Sequence, residues 1–270
     1  MTKKSKYRLP LILAATCALG VLMILAVENF LIFYPDRYPV GNWYPTKINP
    51  EDAWIETSDG IKLHGWYVKA KDQKALAVYS HGNGGNITGL ADYLQILSER
   101  LGISVLAYDY RGYGRSNSTP NIAGVLKDAA AATEWLAHRE GTTREQIIQI
   151  GRSLGGGVAM QTAVREKARA LILENTFTSL ADMGKRIYPW LPVRLLMRQD
   201  LPSLDTVKQY GGPILIVHGD KDELVPESMG RELYAAANEP KQFVSIVGGG
   251  HNDFPPPYYF LEIERFLGRL

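Results

Sequence analysis

Two regimes of hydrophobic patterning divide this chain. From Leu9 to Val27 no residue is charged, and the apolar character is unbroken. At about 1.5 Å per residue, a helix of that length spans about 28 Å, close to the roughly 30 Å hydrocarbon core of a bilayer. Beyond it, short apolar runs alternate with longer amphipathic stretches. Asp52–Thr57 and Ile61–Val68, joined by Ser58-Asp59-Gly60, predict an antiparallel hairpin. Further strands are predicted at Ala75–Tyr79, Ile103–Tyr108, Gln146–Ile150, Ala170–Leu173, Pro213–Val217 and Gln242–Val247. Helices are predicted at Leu90–Leu101, Ile122–His138, after Gly155, at Glu227–Ala237 and at Tyr258–Leu267. Continuous apolar strands between amphipathic helices imply a mostly parallel sheet covered on both faces. Such sheets bind ligands at the C-terminal ends of their strands.

The first regime reads as a retained membrane anchor. Pro10 sits in its first turn, where proline is tolerated. Lys3, Lys4, Lys6 and Arg8 precede it, whereas Glu28 and Asp36 follow. The positive-inside rule then places the N-terminus in the cytoplasm and the rest on the other side. Phe30, Phe33, Tyr34, Tyr38, Trp43 and Tyr44 are candidates for an interfacial aromatic belt. A cleaved signal peptide is the rival reading, but its small-x-small site, Ala18-Leu19-Gly20, falls inside the apolar run. The expected division is 1–34 for the cytoplasmic tip and anchor, and 35–270 for one catalytic domain.

Composition narrows the second regime. Hydrophobic residues make up 46% and charged residues 21%, enough for a sizeable core. The net charge of +2 is more than accounted for by the four N-terminal cations, so no basic face for nucleic acid is implied. The one cysteine, Cys17, lies in the anchor, leaving the rest without a disulfide.

The candidate chemistry clusters where the strands end. Gly151-Arg152-Ser153-Leu154-Gly155 stands between a strand and a small-residue helix start, the setting of a nucleophile elbow. A serine hydroxyl needs an adjacent base, and the base needs a group that fixes its tautomer. Of the five histidines, His138 falls on a helix surface, His64 within a strand, and His81 and His218 before glycines at strand ends. His251 follows Gly248-Gly249-Gly250 after the last strand, on a loop able to reach the sheet edge, and is the candidate base. Asp222, just past the strand ending at His218, is the candidate acid; Asp220 is its competitor, expected instead to bond its own loop. The backbone N–H groups of Leu154 and Asn83, the latter in the glycine-rich His81–Asn86 loop, are candidate oxyanion donors. A bland alternative exists for each: a βα turn without ligand, a solvated loop histidine, a surface carboxylate.

His81-Gly82-Asn83, Asp109-Tyr110-Arg111-Gly112-Tyr113-Gly114-Arg115-Ser116, the serine elbow, His218-Gly219-Asp220-Lys221-Asp222 and Gly250-His251 occur in that order. Together they resemble the α/β-hydrolase superfamily, in particular its membrane-associated serine hydrolases, the branch with protein depalmitoylases and lysophospholipases. The resemblance implies an α/β-hydrolase fold with a small or absent cap. It also implies cleavage of a carboxylic ester or thioester through an acyl-serine, with catalytic Ser153, Asp222 and His251 and no metal or organic cofactor. The substrate it suggests is a small-molecule or lipid-like acyl ester. Within that fold, Asp109 and Arg111 are expected to form a structural ion pair or hydrogen-bond hub. Phe177 to Leu204 sits where cap elements are inserted. Its Met183, Tyr188, Trp190, Leu191, Leu195, Leu196 and Met197 either line an acyl pocket or pack one amphipathic helix on the sheet. Ser153 argues against haloalkane dehalogenases and epoxide hydrolases, which use an aspartate nucleophile. A serine peptidase or amidase, or a non-catalytic tethered binding protein, remains as the alternative reading.

Overall fold

The computed structural model describes residue 20 and residues 28–270. The anchor expected over Leu9–Val27 therefore lies, Gly20 apart, outside the described residues. Among the described residues no helix is long and apolar enough to cross a membrane.

Strands β1 (Tyr34–Pro35), β2 (Glu51–Glu56), β3 (Lys62–Val68), β4 (Ala75–Ser80), β5 (Gly84–Gly85), β6 (Ile103–Tyr108), β7 (Ile147–Arg152), β8 (Ala170–Glu174), β9 (Ile214–Gly219) and β10 (Lys241–Ile246) alternate with helices. The helices are α1 (Ala91–Gln95), α2 (Ile122–Glu140), α3 (Leu154–Glu166), α4 (Leu180–Ile187), α5 (Val193–Leu196), α6 (Ser203–Val207), α7 (Glu227–Ala236) and α8 (Pro257–Leu267). Eight strands form one sheet in the order β10-β9-β8-β7-β4-β6-β3-β2. Pairing is parallel from β10 through β6, and β3 runs antiparallel to both β6 and β2. The expected hairpin and parallel sheet are thus both present.

The continuous apolar strands follow from two buried faces, because successive side chains point to opposite sides. Ala77, Tyr79, Val105 and Ala107 pack with Leu94 and Leu97 and with Phe260 and Ile263 of α8. Their alternates Leu76, Val78, Leu106 and Tyr108 pack with Val125 and Ala129 of α2 and Val158 of α3. On that same side, Leu171, Leu173, Ile214 and Ile216 meet Leu233 of α7.

Three local expectations need correction. The helix predicted over Leu90–Leu101 is a 3-10 turn (Ile87–Leu90), α1, then a π turn (Ile96–Arg100) closed by the Leu101 N–H on the Ile96 carbonyl. The elbow strand runs on to Arg152, because Gly151 and Arg152 pair with Leu173 and Glu174. The proposed aromatic belt also loses two members. Phe33 packs into the core beside Tyr110 and Tyr113, and Trp43 packs edge-on against Trp66 with Arg115 over its face. Phe30, Tyr34, Tyr38 and Tyr44 are exposed. The short strand β1, unreadable from two residues, pairs in parallel with β5 and ties the segment after the apolar run to the glycine-rich loop.

Candidate active site

Ser153 sits between β7 and α3 with φ 53° and ψ −119°, a left-handed conformation that costs a non-glycine residue strain. The flanking glycines allow it. A Cβ on Gly151 would lie 2.1 Å from the Gly155 carbonyl oxygen, and one on Gly155 would lie 1.9 Å from the Ser80 carbonyl oxygen. The serine backbone is pinned on both sides. Its N–H donates to the Glu174 carbonyl at 2.9 Å, and Thr176 Oγ1 donates to its carbonyl at 2.8 Å. The hydroxyl then lies 3.1 Å from His251 Nε2, and His251 Nδ1 lies 2.7 Å from Asp222 Oδ2.

Asp222 is buried and well partnered. Its Oδ1 accepts the N–H groups of Leu224 (3.0 Å) and Val225 (2.8 Å), leaving Oδ2 for the imidazole. Burial pushes this carboxyl upward. The imidazoles of His218 and His251 and the Val225 N–H outweigh it and hold the group well below the usual carboxylate range. His218 itself stands 3.6 Å from Asp222 and bonds the Val225 carbonyl at 2.8 Å, bracing the acid loop. Asp220 does not bond its own loop. Its Oδ1 accepts the Gly248 N–H at 2.7 Å, fixing the positive-φ turn that begins the His251 loop.

That loop has a second anchorage the sequence did not announce. The His251 carbonyl accepts from Arg152 Nη2 and from Asn175 Nδ2, the latter at 3.1 Å. Asn175 has φ 47°, a conformation asparagine tolerates, and its Oδ1 accepts the Gly219 N–H at 3.0 Å. One side chain thus bridges the strand that leads to Asp222 and the loop that carries His251. The available signal was its position, a polar residue immediately beyond the apolar strand at Ala170–Leu173.

The Leu154 N–H is the first of α3, so no turn precedes it to supply an acceptor, and it sits at the positive end of the helix dipole. Asn83 lines the same cavity as Ser153 and Leu154. Its carbonyl accepts from Tyr34 N–H (3.0 Å) and Tyr113 OH (2.7 Å), and its side chain donates to the Ile32 carbonyl (3.0 Å). These bonds occupy the carbonyl and side chain of Asn83 and hold in place the residue whose N–H is the second candidate donor.

Of the expected ion pair or hydrogen-bond hub at Asp109 and Arg111, the hub is present on Arg111, and the pair between the two is not. The strand ends at Tyr108, and the two side chains leave the turn toward opposite faces of the sheet. Arg111 binds Asp128 of α2 (2.7 Å) and Asp59 (3.0 Å). Asp109 is fully buried, accepts the Ile87 N–H at 2.9 Å, and lies 3.8 Å from His81 Nε2. Burial lowers His81 to about 4 and raises Asp109 to about 7. The motif's phenols act as well: Tyr110 OH donates to the His81 carbonyl (2.7 Å) as Tyr113 does to Asn83. His64 pairs with Asp52 at 2.8 Å, and His138 is exposed on α2; neither approaches Ser153.

A cavity of about 150 Å³ opens beside Ser153. Met183, Tyr188, Leu191, Leu196 and Met197 line it, so five of the seven apolar residues singled out in the insert face this space. Trp190 and Leu195 instead project into solvent. A serine hydroxyl bonded to an imidazole, two candidate N–H donors and an apolar cavity at one sheet edge suit nucleophilic attack on a carbonyl carrying a greasy group.

Fold and site define a class: a hydrolase built on an α/β sheet. Comparison with known proteins agrees. A family model described as serine aminopeptidase, S33, matches residues 71–204. An uncharacterized protein of Mycobacterium tuberculosis is 37% identical over 257 residues, covering 94% of this chain and 91% of its own. The α/β hydrolase domain-containing protein WAV2 of Arabidopsis thaliana is 32% identical, covering 87% and 84%, and Schizosaccharomyces pombe protein bem46 is 30% identical, covering 82% and 79%. Among solved structures, a Pyrococcus furiosus esterase superposes with a TM-score of 0.71 at 22% identity, covering 88% of this chain and 98% of its own. The chain belongs to the α/β-hydrolase superfamily.

Proposed function

We propose that this chain is a membrane-anchored serine hydrolase that cleaves a carboxylic ester or thioester of a lipid-like acyl group. Leu9–Val27 is its single span, with the N-terminus in the cytoplasm and the hydrolase domain on the opposite side. The observation that carries the reading is the continuous contact Ser153 Oγ–His251 Nε2–His251 Nδ1–Asp222 Oδ2, at 3.1 and 2.7 Å, beside an apolar cavity.

In this reading His251 Nε2 takes the Ser153 proton as Oγ bonds the acyl carbon. The carbonyl oxygen becomes an oxyanion held by the Leu154 and Asn83 N–H groups. As the tetrahedral intermediate collapses, the bond to the alcohol or thiol breaks, and His251 returns its proton to that leaving group. Water then attacks the acyl-serine with His251 as base, releasing the carboxylic acid and restoring the hydroxyl. Asp222, held ionised, keeps Nδ1 protonated and steadies the imidazolium.

A serine aminopeptidase reading is favoured by the description of the matching family model. It has to hold a free ammonium group near the serine. Among the described residues lining the cavity the only carboxylate is Glu28, and it already accepts the Arg198 and Gln199 N–H groups (2.9 and 3.0 Å). The apolar wall fits an acyl chain better.

Fluorophosphonate labelling tests the central claim, followed by p-nitrophenyl esters graded by chain length beside acylated peptides and aminoacyl amides. Labelling abolished by Ser153→Ala, with ester turnover above amide turnover, is expected. Undiminished ester hydrolysis in Ser153→Ala would overturn the assignment.

A further inference from the structure

The acyl cavity is not built by the cap alone. Glu28, Leu31 and Ile32, which follow directly on the apolar run in sequence, form part of its wall. They are latched there. Glu28, buried to 5% exposure, accepts the Arg198 and Gln199 N–H groups, its Oε2 stands 3.5 Å from Arg198 Nε, and Gln199 Nε2 donates to Asn29. Gln199 also accepts the Ile122 N–H at the start of α2, so the segment, the cap and the sheet-covering helix are tied at one point.

The mouth of this cavity is apolar outward as well as inward. Leu31, Ile187 and Leu224 line the cavity yet keep 44%, 52% and 45% of their surface exposed, which puts them at its rim. Phe30, Trp190 and Leu195, each next in sequence to a lining residue, are more exposed still. Single exposed apolar side chains are ordinary; three on the wall of one cavity, with three more beside lining residues in sequence, are not. Apolar side chains and a tryptophan around such an opening are the composition of a surface that lies in the interfacial region of a bilayer. The site at which the apolar run ends supplies the occupant. A span over Leu9–Val27 brings the bilayer to residue 28, which already belongs to the cavity wall.

Building on the hydrolase reading, we propose that the rim formed by residues 30–31 and the cap rests in the lipid surface, so that the cavity opens into the leaflet and takes its substrate as a bilayer-resident acyl ester. The acyl chain passes from the hydrocarbon into the apolar cavity without crossing water, and the ester carbonyl arrives at Ser153 from the headgroup side. The latch at Glu28 keeps the cavity in register with the membrane whatever the rest of the domain does.

The test uses the full chain reconstituted into phosphatidylcholine vesicles with brominated or unbrominated acyl chains. Brominated chains quench tryptophan on contact. Stronger quenching of the wild type than of Trp190→Phe is expected; equal quenching overturns the proposal. The second arm is Trp190→Ser combined with Leu195→Ser, neither residue lining the cavity. Hydrolysis of soluble p-nitrophenyl acetate should be retained, while turnover of a long-chain ester dissolved in the vesicles should fall about tenfold. Undiminished vesicle turnover overturns the proposal, as does Trp190-dependent self-association without lipid quenching, which would assign the face to a second copy. Wild-type chain inert toward every soluble ester would instead sink the hydrolase reading, while the quenching arm still reports the orientation.

Discussion

Two histidine–aspartate pairs lie at the same edge of this sheet, and only one is hydrogen-bonded through to a serine hydroxyl. His251 and Asp222 meet at 2.7 Å, and the carboxylate has two backbone N–H donors on its other oxygen. His81 and Asp109 stand 3.8 Å apart; His81 Nε2 and Asp109 Oδ2 are buried without a hydrogen-bond partner. Both acids are buried and both accept backbone N–H groups; the imidazoles of His218 and His251 on Asp222 make the difference. Asp222 is held ionised and can stabilise an imidazolium, whereas Asp109 is pushed up to about 7 and its histidine down to about 4. The first pair is poised to move a proton; the second packs beneath Tyr110 and Tyr113, whose hydroxyls hold the loop of the candidate oxyanion donor.

The sharpest way to break this comparison is to remove the groups one at a time. Ser153→Ala and His251→Ala should each lower kcat for an ester by about 10⁶, and the double variant by no more, because the groups act as a unit. His81→Asn should cost no more than about 10²-fold, the effect of a slightly misplaced donor. Equal losses at His81 and His251 would erase the distinction. Next in size, Asp222→Asn should lower kcat by about 10⁴ through the wrong imidazole tautomer, while Asp109→Asn leaves kcat within a small factor of wild type. Steady-state kinetics on one soluble ester measures all of these.

A smaller effect sharpens the role of the scaffold around the reactive pair. Asn175→Gly keeps the left-handed backbone and deletes only the bridge from Gly219 to His251. It should lower kcat by about 10² with KM little changed, since the imidazole is displaced but the cavity is intact. A raised KM with unchanged kcat would show that Asn175 shapes the cavity instead.

Most of the frame was legible because its signals are local. Buried parallel strands are short apolar runs, and a serine can take φ 53° at the elbow only with glycines where Gly151 and Gly155 stand. Ser153, Asp222 and His251 fell at strand ends, which topology gathers to one edge. What stayed hidden depends on partners far apart in sequence. Asn175 bridges residues 44 and 76 positions away. The structural role of the Asp109-to-Gly114 motif was visible but its partners were not, since nothing local shows that Arg111 reaches Asp128 while the tyrosines hold the His81 loop. The wall contributed by Glu28, Leu31 and Ile32 was hidden for the same reason, its partners in the cap lying near residue 199.

The smallest effect is also the most diagnostic of the inert pair. Between about pH 4 and 6.5 the unfolded chain protonates His81 while the fold keeps it neutral, so the unfolded state binds more protons and stability drops as pH falls. Asp109 does the reverse. Its folded carboxyl stays protonated up to about 7 while the unfolded one ionises near 4, so stability drops as pH rises through that window. In the wild type the two slopes oppose each other. Asp109→Asn should therefore expose a stability that declines on acidification from 6.5 to 4, and His81→Asn one that declines on alkalinisation from 4 to 7. Each slope is bounded at about 1.4 kcal/mol per pH unit, the limit for one proton. Urea unfolding of the detergent-solubilised chain at several pH values across that window reads both signs. Both signs reversed, Asp109→Asn declining on alkalinisation and His81→Asn on acidification, would mean that the fold favours the ionised form of each group.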